Sequence, residues 1–72
     1  MDQELLSIEY VSPKKEFTSS LGQAYKSGSL YLCFIDSDSD WYCIQDTLRK
    51  NYFEWFKKDL FEEYFTMVKH YA

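Results

Sequence analysis

Asp36-Ser37-Asp38-Ser39-Asp40 sets three carboxylates at alternating positions of one short polar segment. That spacing can wrap a hard cation, as the first half of an EF-hand loop does. The second half is missing, because the sixth position is Trp41 instead of glycine and the twelfth is Thr47 instead of glutamate. The segment therefore reads as a solvated turn in which Asp and Ser bond their own backbone. Cys33, Cys43 and His70 lack the short ligand spacings of a zinc site. With a single histidine, a nucleophile–base set needs Cys33 or Cys43 to meet His70 through the fold. Gly22 and Gly28 are the only glycines, so there is no phosphate-cradling loop. Glu62 and Glu63 are adjacent and, on a helix, point about 100° apart, which is no acid–base pair. The expectation is a protein without catalytic residues, metal or cofactor.

Size and charge narrow the remaining classes. Seventy-two residues make one domain, residues 1–72, with a core that is marginal by surface-to-volume scaling. An aromatic fraction of 21% is the evident remedy, since large rings bury much area per residue. The net charge of −4 argues against direct nucleic-acid binding or an anionic membrane through a basic surface. No Lys/Arg-led apolar run opens the chain, and the longest apolar run, Leu30–Ile35, is far too short to span a bilayer. A cytoplasmic location is expected.

The elements that would hold these residues follow from periodicity. Glu4–Val11 alternates Leu6, Ile8 and Tyr10 against Ser7 and Glu9, a half-buried strand, with a short helix as its rival. Ser12-Pro13 suits a helix start, Phe17, Leu21, Ala24 and Tyr25 share a helical face, and Ser27-Gly28 supplies a stop. Thr18, Ser19, Ser20 and Gly22 weaken that helix. Leu30–Asp36 and Trp41–Gln45 form a hairpin about the Ser37–Asp40 turn. Its register sets Cys33 opposite Ile44 and Cys43 opposite Phe34, on opposite faces, as reduced thiols. A slip of one residue would instead oppose the two cysteines.

Thr47–Ala72 holds eight of the fifteen aromatics. At about 100° per residue, Tyr52, Phe56, Met67, Leu60, Phe53, Tyr71, Tyr64, Val68 and Phe61 fall on one arc, with Phe56 and Leu60 at its centre. The spacing predicts a long amphipathic helix capped by Asp46 or Thr47, with His70 in its last turn. Asp59-Leu60-Phe61-Glu62 has the form of a capping box and allows a break near Lys57-Lys58. The fold expected is α+β, in the order β-α-β-β-α. A small antiparallel sheet of about three strands is packed by the aromatic helix.

Two aromatics fall outside the arc. Trp55 projects with Asp59 and Glu62, at i, i+4 and i+7, and Phe65 lies beside Lys58 and Glu54. Either the other helix or a break buries them, or they anchor a partner. The function expected is a non-enzymatic protein-binding domain. In size and charge, though in no motif, the chain resembles small stoichiometric inhibitors of the immunity or phage anti-defence kind. On that likeness Trp55, Asp59, Glu62, Phe65, Asp36, Asp38 and Asp40 would meet a protein with a basic, nucleic-acid-handling surface. The alternatives are a homodimeric structural or accessory subunit and, less favoured by so small a core, a small-ligand binder with a pocket of Trp and Tyr.

Overall fold

The computed structural model describes residues 6–47 and 52–71. Seven strands and one short helix follow one another: β1 (Leu6–Pro13), β2 (Phe17–Thr18), β3 (Ala24–Tyr25), β4 (Tyr31–Asp36), β5 (Trp41–Asp46), β6 (Phe53–Lys57), α1 (Lys58–Tyr64) and β7 (Phe65–His70). A five-stranded antiparallel sheet has the order β6-β5-β4-β1-β7, and β2-β3 forms a separate small hairpin.

The β4–β5 hairpin has the register its apolar pattern demands, with Cys33 opposite Ile44 and Phe34 opposite Cys43. The two cysteines are free and buried, on opposite faces. The Ser37–Asp40 turn closes the hairpin. Asp36 Oδ1 accepts from the Asp38 N–H at 3.0 Å, and Ser39 Oγ accepts from the Trp41 N–H at 3.0 Å.

The long C-terminal helix does not form. Within the described part of Thr47–Ala72, an edge strand, two turns of helix and a second edge strand take its place. Phe, Trp, Thr and Val are favoured on a pleated sheet, and Phe53–Lys57 and Phe65–His70 are rich in them. The boundary does fall at Lys57–Lys58, but without a capping box: Lys57 is the N-cap and makes no side-chain cap bond. Asp46 ends β5, and Thr47 donates its hydroxyl to the Leu30 carbonyl, so neither caps a helix. The carbonyls at the end of α1 are met from outside. The Lys14 N–H donates to Tyr64 O at 2.8 Å and the Lys14 ammonium to Glu62 O at 2.9 Å.

The helix expected after Ser12-Pro13 is also replaced, by the β2–β3 hairpin. Of the weak helix formers, Thr18 ends β2 and Ser19, Ser20 and Gly22 lie in the hairpin's turn. Gly22 lies at φ 88° and its N–H donates to Ser19 O at 2.9 Å, a conformation that favours glycine. Ser12 is no N-cap, since its Oγ accepts from the Gly28 N–H at 3.1 Å.

One face of the sheet carries the core. Val11, Cys33, Ile44 and Phe56 point into it, and Tyr25, Phe61 and Phe65 close over it with Phe17 at the margin. Tyr25, from a strand of two residues, is 1% exposed and touches the rings of Phe17, Tyr31, Phe56 and Phe65. The phase of β1 is opposite to the expected one. Glu9 and Val11 are buried on the core side, whereas Ile8 and Tyr10 lie half-buried on the other face. Leu60, expected at the core's centre, is exposed; Phe56 is buried as expected.

Candidate functional site

In an antiparallel ladder, partners across the strands share a face. The register therefore lays two rows across the side of the sheet away from the core. One is Tyr10, Leu32, Gln45 and Phe53; the other is Ile8, Phe34, Cys43 and Trp55. Trp41, paired with Lys57, extends the surface toward the turn. Both rows are free of charge. Among the described residues, α1 and the β2–β3 hairpin pack on the core face and none packs on this one. Trp55 is 60% exposed, Phe53 50% and Trp41 45%, while Ile8, Leu32 and Phe34 are half-buried by their neighbours.

Charge lies at the rim of this face. The Lys57 ammonium sits 5.9 Å from the Trp41 ring centre, and that of Lys69 sits 5.5 Å from the Tyr10 ring centre. Tyr71 leans on Tyr10 with ring centres 5.6 Å apart. Asp36, Asp38 and Asp40 are exposed in the turn at one end. The rim thus mixes both signs around an apolar centre.

The residues expected to act together are separated by the fold. Trp55 is exposed, but on an edge strand, so no stripe of i, i+4 and i+7 joins it to Asp59 and Glu62 on α1. Those two carboxylates are exposed, and Asp59 lines a shallow cleft of about 160 Å³ with Asp40, Lys57 and Lys58. Phe65 is no surface anchor. It is 2% exposed and stacked on Phe61 with ring centres 5.3 Å apart.

Ile8, Leu32, Phe34, Trp41 and Phe53 escaped the sequence reading as residues of this face. The signal was present in Leu30–Asp36, which is apolar on both faces. A strand of that kind needs cover on both sides.

The titratable groups favour packing over chemistry. Burial, helped by Cys43 and Glu9, pushes the Cys33 thiol up to about 12, and burial raises Cys43 as well. Both stay protonated near neutral pH and are poor nucleophiles. Burial and the Glu54 carboxylate push the Tyr25 hydroxyl upward, so it remains a donor. It donates a hydrogen bond to Glu54 Oε1 at 2.8 Å, and the Tyr52 hydroxyl donates to the same oxygen at 3.4 Å. His70 is far from a helix end. It lies in β7 with Nδ1 2.6 Å from Glu9 Oε2. Among the described residues no three Cys, His, Asp or Glu side chains converge as a metal site would require.

A second concavity of about 470 Å³ runs between the β2–β3 hairpin and α1. Phe17, Phe56, Leu60 and Tyr64 line it together with Trp41, Trp55 and Lys57 of the sheet edge. It is an open groove on the covered side.

The fold and this surface define a small antiparallel β-sheet domain with one packed face and one open face. Compared with protein-family models, curated proteins and solved structures, the chain matches none. Among the described residues no helix is long and apolar enough to cross a membrane.

Proposed function

We propose that the chain is a non-enzymatic protein-binding domain that docks through its open sheet face. One observation carries the reading: the uncharged rows centred on Phe34, Cys43 and Trp55, over which no described residue forms a layer, on a sheet whose other face is packed. Exposed apolar patches rimmed by polar groups mark interaction surfaces, and tryptophan is enriched where binding energy concentrates. The Asp36–Asp38–Asp40 turn supplies acidic steering at one end, which favours a protein partner with a basic, nucleic-acid-handling surface there. Two buried free thiols on opposite faces fit a reducing, cytoplasmic compartment.

The test compares the parent with Trp55→Lys, both folded by circular dichroism, for binding of a hydrophobic dye and for proteins retained on the immobilised chain. The expected result is that Trp55→Lys loses both dye and partner, while Glu62→Gln on α1 loses neither. Retention of every partner by Trp55→Lys would remove the open face from the reading.

A further inference from the structure

We infer that the open face is covered by a second copy of this chain, stacked face to face as a two-layer β-sandwich. The inference rests on the docking reading above and names the occupant of the same surface. Three observations select that occupant.

The first is area. The face spans β1, β4, β5 and β6 over about six residues each, a footprint of about 19 by 20 Å, or ~400 Å². A two-fold stack removes twice that, ~800 Å², before the relief of the exposed Trp55 and Trp41 is added, and so approaches the ~1,000 Å² that a specific interface should clear.

The second is charge. The chain carries −4, yet among the described residues the charges of this face, Asp36, Asp38 and Asp40 at the turn against Lys57 and Lys69, all stand at its rim. Most of the acidic excess lies elsewhere. Two identical centres meet without burying a charge, which would be costly if unpaired. A basic partner finds carboxylates at the turn and none at the centre, whereas a copy of the same neutral centre loses nothing.

The third is shape. Sheets of the same hand of twist pack aligned, about 10 Å apart and turned by about 30°. A second copy has that twist by construction. Its half-buried Ile8, Leu32 and Phe34 form a low floor, and the taller Trp55 and Trp41 stand at the β6 side. Relief of that kind interdigitates across a two-fold axis.

Analytical ultracentrifugation of the full chain, with reductant, from about 1 μM to 1 mM is the experiment. The expected result is a reversible monomer–dimer equilibrium whose dissociation constant rises at least ~30-fold in Trp55→Glu, the effect of losing a central anchor. Added salt should tighten the parent dimer, because it screens repulsion between two acidic chains. Docking on a basic protein would weaken instead. A chain that stays monomeric to 1 mM overturns the second copy. If that monomer still binds hydrophobic dye in a Trp55-dependent way, the docking reading survives; a dye-silent monomer ends both. A dimer that is equally tight in Trp55→Glu and in Phe34→Lys, both folded by circular dichroism, also overturns the inference, since the copies then meet elsewhere.

Discussion

The two faces of the sheet are built from much the same kinds of residue and differ in what lies over them. On one, Val11, Cys33, Ile44 and Phe56 are sealed by rings from a nine-residue hairpin, a two-turn helix and the start of β7. On the other, Ile8, Leu32, Phe34 and Trp55 form an equally apolar surface with no layer above it among the described residues. The covered face even accepts carboxylates, Glu9 and Glu54, which are buried with partners. The open face has none at its centre. Hydrophobicity alone therefore does not mark the core of this protein. What marks it is the pair of short elements that fold back over one side.

Substitutions should separate the faces by the size of their effect on stability. Phe65→Ala removes a ring that touches Tyr25, Phe56 and Phe61. It should cost about 3–5 kcal/mol in urea unfolding, enough to leave so small a domain largely unfolded. A parent-like midpoint would mean that the covered face is not the core.

Tyr25→Phe keeps the ring but takes a donor from the buried Glu54 carboxylate. About 1–3 kcal/mol should be lost, and Tyr25→Phe with Glu54→Gln should recover part of it. A double-variant loss equal to the sum of the separate Tyr25→Phe and Glu54→Gln losses would show that the Tyr25–Glu54 bond carries no coupling.

The thiols sharpen the contrast through pH. The folded state holds the Cys33 proton up to about 12, whereas an unfolded thiol releases it near an ordinary value of about 8.5. Above about 8.5 the unfolded chain thus binds fewer protons than the folded one, and stability must fall as pH rises. The loss should be about 1 kcal/mol by about pH 9.5, absent below about pH 8 and reduced in Cys33→Ala. Measured in urea at each pH, a flat profile for the parent would contradict the deep burial of Cys33.

Trp55→Ala should have the smallest effect on folding, within about 0.5 kcal/mol, as for an exposed site. With Trp41 replaced by phenylalanine, dilute Trp55 should emit near free indole and be quenched by iodide. Blue-shifted, protected emission in a proven monomer would place it in a core.

The central hairpin was legible because both of its strands are apolar and its turn is made of Asp and Ser; even the register could be written down. The exposure of Trp55 was also expected, but from a helical phase the chain does not adopt. Phe53-Glu54-Trp55-Phe56 defeats a hydropathy pattern, since its strand buries Glu54 and exposes Phe53 and Trp55. A reading that turns apolar residues inward cannot find that phase, and a helical arc absorbs the same aromatics without conflict. Tyr10 and Glu9 mislead in the same way on β1. Glu9 meets the imidazole of His70, sixty-one positions away along the chain, and no local pattern announces that contact.

The placing of β1 between β4 and β7 bears on how the chain assembles. The β4, β5 and β6 strands follow one another as a meander and need only short loops to close. The ladder joining Val11 to Met67 and Pro13 to Phe65 cannot form until nearly the whole chain is present. Closing so long a loop costs entropy before any contact repays it, which places the β1–β7 step late and makes folding slow for the size. During synthesis β1 would wait with an unpaired edge beside an uncovered apolar face. That intermediate joins two features that template association, so the nascent or refolding chain, more than the finished one, is where aggregation should begin.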